Sequence, residues 1–130
     1  MSRPECSSCE NIARAIRNSS WDPAKNRWSS SLFKGTNVSV SRLAVLPIAD
    51  LLKIFHDDLD RPPASKVIAA GEINIGTLQQ IGKSQNHPTV LTVEEDPLPS
   101  NPAHAEIPQK ISRGLARKII DVLILHNEST

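Results

Sequence analysis

Aromatic residues are scarce in this sequence: they make up 3% of its 130 residues, with two tryptophans, two phenylalanines and no tyrosine. A protein that binds single-stranded nucleic acid stacks the bases on several exposed aromatic side chains. Four aromatic residues cannot both fill a core and supply such a platform. We therefore expect a core of aliphatic side chains, and contact with nucleic acid only through a larger complex.

An excess of charge of either sign is also missing. The chain carries 15 Lys and Arg residues against 14 Asp and Glu residues, for a net charge of +1. No bulk field therefore attracts nucleic acid or anionic lipid. No apolar run approaches the roughly 18–20 residues that a bilayer-spanning helix requires. The sequence predicts no association with membranes.

Cysteine occurs only twice, as the C-x-x-C of Cys6 and Cys9. A tetrahedral zinc site needs four ligands, and the four histidines of the chain are scattered singly. A redox motif would follow a strand, whereas this one follows a polar segment. We expect two exposed thiols and no metal, with a zinc ion shared with a distant histidine as the alternative. One such close pair would cross-link almost nothing, which favours a reducing, cytoplasmic compartment.

The strong catalytic motifs are absent as well. The sequence contains no G-x-x-x-x-G-K-[ST], G-x-G-x-x-G, G-x-S-x-G or H-E-x-x-H. P-loop NTPases, Rossmann dehydrogenases, α/β-hydrolases and zincins are therefore not supported. We favour a protein that is not an enzyme, and we predict no cofactor.

The length suits one compact domain, and the order of the predicted elements indicates the α+β class. We expect a small mixed or antiparallel sheet with two main helices packed on one face. Residues 11–18 fit both a helix and a strand, and we favour a strand because the segment is short. The predicted organisation is a flexible polar tail at 1–10, one α+β domain at 11–126 and a frayed end at 127–130. Within the domain we predict further strands at 28–33, 38–40, 66–70, 89–93 and 103–107, with a hairpin across Gly35. We predict helices at 47–59, 74–81 and 109–126.

The first candidate for chemistry lies in the predicted strand near the end of the chain. On a strand, His104 and Glu106 are two positions apart and share one face. Such a pair can act as a general acid and base, or as two metal ligands. The alternative is that the two side chains only form the solvent side of the strand.

The second candidate is a set of arginines and serines in the N-terminal half. Guanidinium and hydroxyl groups together suit a phosphate or carboxylate ligand. The predicted strand at 28–33 would place two of the serines on one face, although exposed serines are also common on a sheet that binds nothing. The set comprises Arg14, Arg17, Arg27, Ser29 and Ser31.

The third candidate is a basic stripe on the last predicted helix, formed by Lys110, Arg113 and Arg117 at spacings of three and four residues. The first two would lie in the opening turns of the helix, where the helix dipole disfavours cations. An anionic partner would offset this cost, so we predict a partner-binding surface here. The alternative is a solvated face on which Asp121 pairs with Arg117.

Five short motifs together give the chain a resemblance to a family of small, uncharacterised bacterial proteins. The resemblance covers residues 12–107. The family brings no activity, so the resemblance implies no catalytic role, but it directs attention to His104. The motifs are the arginine segment Arg14–Arg17, the W-D-P-x-x-x-R turn Trp21–Arg27, the serine run Ser29–Lys34, the Ser-Val strand Val38–Val40 and the N-P-A-H-A motif Asn101–Ala105.

Two functional hypotheses remain. The first is a small non-enzymatic bacterial accessory module that docks to a larger protein partner. The alternative is a small enzyme or a nucleotide- or phosphate-binding domain, in which His104 and Glu106 supply acid–base chemistry and the arginines and serines hold an anion. The alternative requires groups far apart in the sequence to meet in one pocket. The sequence does not predict the oligomeric state.

Overall fold

A six-stranded antiparallel sheet runs through the protein, with the strand order β6-β7-β4-β1-β5-β8, and a separate two-stranded hairpin is formed by β2 and β3. The computed structural model describes residues 3–60 and 66–127. The predicted α+β class is confirmed. The elements are β1 (Asn11–Arg17), β2 (Trp21–Asp22), β3 (Arg27–Trp28), β4 (Val38–Arg42), α1 (Ile48–Leu59), β5 (Val67–Asn74), α2 (Ile75–Lys83), β6 (Glu94–Glu95), β7 (His104–Ile107), α3 (Arg113–Asp121) and β8 (Ile124–Asn127).

Helices cover both faces of the sheet. Ile12 of β1 packs with α2 and α3, whereas its neighbour Ala13 packs with α1. Successive residues of a strand point to opposite faces, so these contacts place α1 and α3 on opposite sides. The prediction that both main helices pack on one face is therefore wrong. The physical reason is that the central strand β5 is buried on both faces and needs a cover on each.

Several elements agree with the sequence pattern. The segment that fitted both a helix and a strand is strand β1. Helix α1 begins one residue after Pro47, as expected for a proline at a helix start. Asn74 caps α2, because its side-chain oxygen accepts a hydrogen bond of 3.1 Å from the Thr77 amide.

The predicted strand at 89–93 does not form. Leu91 and Val93 are fully buried, but the segment pairs with no strand along its length. Glutamine side chains satisfy part of its backbone instead. Gln79 donates to the Leu91 carbonyl at 3.0 Å, and Gln109 accepts from the Thr92 amide at 2.9 Å.

The predicted strand at 28–33, and with it the hairpin across Gly35, is also wrong. Only Arg27–Trp28 is extended, and a 3-10 turn follows at Ser30–Leu32. Ser29 caps this turn by accepting a hydrogen bond from the Ser31 amide. Local capping by the serine hydroxyl thus competes with strand formation. Strand β4 then pairs with β1 and β7 instead.

The last helix is shorter than predicted, because it covers residues 113–121 rather than 109–126. Ser112 caps its start by accepting from the Leu115 amide at 3.3 Å. Lys110 precedes the helix and therefore does not belong to a helical stripe with Arg113 and Arg117. After the helix, the chain turns into β8, which pairs with β5.

The N-terminal segment is attached to the sheet from residue 3 onward, in contrast to the flexible tail expected at residues 1–10, of which residues 1 and 2 lie outside the described residues. The Cys6 amide donates to the Val93 carbonyl at 2.7 Å, and Pro4 accepts from the Glu95 amide. Cys6 is buried and Cys9 is exposed, so the expectation of two exposed thiols is wrong for Cys6. The predicted frayed end falls on residues 128–130, which lie outside the described residues, and on the final residue of β8.

Glu10 and Arg42 form a two-pronged ion pair beside this segment. Both distances, from Nε to Oε1 and from Nη2 to Oε2, are 2.9 Å. The hydrogen bonds from Arg42 lower the pKa of the Glu10 carboxyl. The pair joins the end of the N-terminal segment to strand β4.

Candidate functional site

Strands β1 and β4 separate shortly after they meet, and a guanidinium occupies the gap. Their only paired residues within the described chain are Ile12 with Arg42 and Ala13 with Ser41. Beyond this point, Arg14 donates from Nε to the Leu32 carbonyl and from Nη1 to the Ser39 carbonyl, the latter at 2.6 Å. The Arg14 side chain thus replaces strand-to-strand hydrogen bonds that the separated backbones cannot make.

A cleft of about 240 Å³ opens at this gap, between α1 and the sheet, and we call it the α1 cleft. Its walls are largely apolar and come from α1, β1, β4, the loop before β7 and the first residue of β7. Its polar lining consists of Arg14, Ser39, Ser41, Asp58, Asn101 and His104.

Arg14 brings an unneutralised charge to this cleft. The side chain is half-buried, and burial, with a smaller contribution from the Arg17 charge, lowers the pKa of Arg14 to about 10. The guanidinium is therefore still charged at neutral pH. Among residues 3–60 and 66–127, no carboxylate lies within ion-pair distance of it. The Phe33 ring lies 5.7 Å from its central carbon and provides a cation–π contact.

His104 also lines the cleft, and hydrogen bonds to both ring nitrogens hold its side chain in place. Its Nδ1 lies 2.8 Å from the Asp96 carbonyl oxygen and 3.2 Å from Asp96 Oδ2. Its Nε2 lies 3.2 Å from the hydroxyl oxygen of Ser39. The ring therefore connects the Asp96 loop to the exposed hydroxyl on β4.

Glu106 shares a face of β7 with His104, as predicted, but its carboxylate is used elsewhere. Arg3 Nη1 lies 2.8 Å from Glu106 Oε1, and Arg3 also contacts Glu94 and Asp96. The carboxylate against His104 is that of Asp96. The predicted pairing of His104 with Glu106 as an acid–base couple is therefore not supported by the contacts.

Four other predicted site residues meet in a second cleft of about 300 Å³, which we call the arginine cleft. Arg27 and Ser29 line it together with Arg113 and Arg117, so parts of the predicted anion site and of the predicted partner surface lie side by side. Arg117 also donates to the Trp28 carbonyl at 2.6 Å.

Besides Glu106, three predicted site residues belong to neither cleft. Arg17 lies at the end of β1, Ser31 is bonded to the Ser29 hydroxyl at 2.9 Å, and Lys110 lies before α3. The sequence predicts that the anion-binding residues form one set. The structure divides that set, and Arg14 is the member that lines the same cleft as His104.

The sequence did not point to two aspartates. Asp58 lines the α1 cleft, and Asp96 contacts His104. Asp58 stands in an acidic run at the end of α1, which gives no sign of a nearby cleft. Asp96 reaches His104 because the proline-rich loop after β6 turns back, and the Asp96 amide donates to the His104 carbonyl at 3.0 Å. Asn101 also lines the α1 cleft, and its place in the N-P-A-H-A motif beside His104 is the sequence feature that points to this part of the cleft.

Three further findings bear on function. No group of three or more potential metal-binding side chains occurs within the part of the chain that the structure describes. None of the helices in that part has the length and apolar character needed to cross a bilayer. No protein family, curated protein or solved structure matches the chain. The resemblance to small bacterial proteins therefore stays a prediction.

Proposed function

We propose that the α1 cleft binds a small molecule with an acidic group, a carboxylate or a phosphate, placed against Arg14. The observation that supports this most is the half-buried, charged Arg14 side chain, which is among the residues that line the cleft and has no carboxylate partner in the described chain. A charge removed from water is costly unless a counter-charge offsets the loss. An acidic ligand supplies that counter-charge, and the planar guanidinium suits both acids.

The size and lining of the cleft narrow the ligand class. A volume of about 240 Å³ is below the usual range for drug-sized ligands, which begins at about 300 Å³. Apolar side chains of α1 would contact the body of the ligand. Asp58 adds a negative charge to the lining and would accept a hydrogen bond. We therefore expect a small ligand with an acid at one end and a hydrogen-bond donor at the other.

A pair of aromatic acids tests this proposal. Phenylacetate and phenyl phosphate have the same ring and different acids, and benzyl alcohol serves as the uncharged control. We expect either acid, but not the alcohol, to produce saturable NMR shifts at Arg14, Ser39 and His104. The acid that binds more tightly identifies the preferred class.

A matched arginine variant separates a specific site from general charge attraction. Arg14→Gln should weaken acid binding about tenfold or more, since hydrogen bonds to a charged group contribute about 1.5–3 kcal/mol. Arg17→Gln removes the same charge three residues further along β1 and should bind as the unchanged protein does. Equal binding by both variants, or shifts confined to the arginine cleft, would refute the proposal. Thermal melting of Arg14→Gln verifies that it is folded.

Docking to a larger protein is a second candidate function, and one observation favours it. Strand β8 lies at the edge of the sheet, and the apolar residues Val122, Ile124 and Leu125 at this edge are exposed. An open edge strand is a template for pairing with another chain. The two free thiols further support a reducing, cytoplasmic setting for such a complex.

A charge placed on this edge tests the docking hypothesis. Ile124→Lys should abolish capture of a specific partner from native cells. Val90→Lys introduces the same charge at a residue that is 69% exposed but lies outside the sheet, and it should leave capture intact. Identical proteins captured with both variants, or none captured by the unchanged protein, would contradict this hypothesis.

A further inference from the structure

The contacts of His104 determine which of its nitrogens carries the proton. The Asp96 carbonyl oxygen, 2.8 Å from Nδ1, can only accept a hydrogen bond. Nδ1 must therefore carry hydrogen and donate it, and Asp96 Oδ2 at 3.2 Å lies where it reinforces this tautomer. In the neutral ring, Nε2 then has a free lone pair.

That lone pair faces a hydroxyl group. Ser39 Oγ lies 3.2 Å from Nε2, so in this tautomer the hydroxyl donates and the imidazole accepts. A serine bonded to Nε2 and an acidic residue bonded to Nδ1 are the arrangement that activates a serine as a nucleophile. The arrangement is recognised by this geometry and not by chain order.

We propose that Ser39, His104 and Asp96 form a hydrolytic site in the α1 cleft, which cleaves small carboxylic esters. Ser39 is the nucleophile, His104 the general base and Asp96 the residue that positions the imidazole. The preferred ester carries a second acidic group that meets Arg14. This preference rests on the ligand-binding function proposed above, whereas the nucleophile does not.

The surroundings of Ser39 suit this role. Its side chain is exposed and lines the cleft, so a substrate can reach the hydroxyl. Its own carbonyl accepts the hydrogen bond from Arg14, which holds the strand at this residue and brings a positive charge close to it.

The reaction needs only the ester and water. Ser39 Oγ forms a bond to the carbonyl carbon, its proton moves to His104 Nε2, and the carbonyl electron pair moves to oxygen. When that pair returns, the bond to the alcohol oxygen breaks and Nε2 gives its proton to the departing alcohol. Water then attacks the acyl-serine, with Nε2 accepting and returning a proton, and releases the acid and the free serine.

A fluorophosphonate probe tests the nucleophile directly, because it forms a stable bond with an activated serine. We expect one adduct per chain, located at Ser39 by peptide mass mapping, and slow turnover of p-nitrophenyl acetate. Ser39→Ala should abolish both. Ser31→Ala removes an exposed serine outside the cleft and should leave both unchanged.

Two variants of the supporting residues distinguish catalysis from a structural role. His104→Gln should slow labelling about 100-fold or more, the usual contribution of a general base. Asp96→Asn should slow it less, because the Asp96 backbone carbonyl still holds Nδ1. Labelling at other serines only would overturn the proposal. So would an unchanged rate of Ser39 labelling in the His104→Gln variant, provided that this variant melts at the same temperature as the unchanged protein.

The phenylacetate titration separates this proposal from the preceding one. Phenylacetate binding without any Ser39 adduct would overturn the hydrolytic site and leave the ligand-binding function intact. A Ser39 adduct without phenylacetate or phenyl phosphate binding would support the hydrolytic site and overturn the acidic-ligand function.

Discussion

A buried hydrogen bond between Asn101 and Ser41 holds one wall of the α1 cleft in place. The two residues are 5% and 2% exposed, and Asn101 Nδ2 donates to Ser41 Oγ at 2.9 Å. Asn101 Oδ1 also accepts from the Ala103 amide at 3.0 Å. Asn101→Ala therefore removes one hydrogen bond between side chains and leaves a buried backbone amide without its partner.

The expected cost follows from these two losses. The orphaned amide costs about 1–3 kcal/mol and the lost hydrogen bond about 1 kcal/mol, so Asn101→Ala should destabilise the protein by about 2–4 kcal/mol. Ser41→Ala should cost about 1–2 kcal/mol. The double variant should cost less than the sum by about 1 kcal/mol, because the shared hydrogen bond can be lost only once.

Urea unfolding followed by tryptophan fluorescence measures these differences. Asn86→Ala changes an exposed asparagine and should shift stability by less than about 0.5 kcal/mol. Costs that add without coupling, or a cost of Asn101→Ala no greater than that of Asn86→Ala, would refute the assignment of this hydrogen bond.

Three further predictions concern stability and reactivity. Gly82→Ala should destabilise the protein by about 1–3 kcal/mol, measured by urea unfolding, because the new Cβ would overlap the backbone carbonyl of Thr89. The control Gly114→Ala places its Cβ in open space on α3 and should stabilise the protein by up to about 1 kcal/mol. Iodoacetamide at neutral pH should modify Cys9 and spare Cys6, since burial raises the pKa of the Cys6 thiol. Glu10→Gln should cost about 1–2 kcal/mol at pH 7 and progressively less as the pH falls below about 4.5. Folding lowers the pKa of Glu10, so its contribution to stability is complete above the usual pKa of 4.5 and is lost as the pH falls through the lowered pKa.

Each of these has a contradicting result. Equal stability of the two glycine variants would mean that the loop after α2 moves freely. Rapid alkylation of Cys6 in a Cys9→Ser variant would mean that the N-terminal segment detaches from the sheet. An unchanged acid unfolding profile for Glu10→Gln would mean that the ion pair does not stabilise the fold.

The elements that sequence patterns predicted well are those set by neighbours along the chain. The apolar stripe of α1 and the proline before it are local features, and so is the Asn74 cap of α2. Alternation alone also placed His104 and Glu106 on one face of β7. These predictions held because the physical causes act within a few residues.

The failures involve partners that are distant in the sequence. The β-rich segment at 89–93 has the composition of a strand, but the glutamines Gln79 and Gln109 provide hydrogen bonds that a neighbouring strand would otherwise supply. The apolar periodicity after residue 121 resembles a longer helix, but an open edge of β5 pairs with it as β8 instead. Tertiary contacts overrode local preference in both cases.

Composition and local pattern were enough to specify an α+β protein with an aliphatic core and to single out arginine, serine and histidine as candidate groups, because residue type and spacing determine burial and local structure. The placement of Arg14 and His104 in the lining of one cleft, and the pairing of His104 with Asp96 and not Glu106, came from the folded chain alone. These contacts depend on where β1 and β4 separate and on how a loop turns back. Hydrogen bonds between distant residues exist only after the strands have taken their order in the sheet.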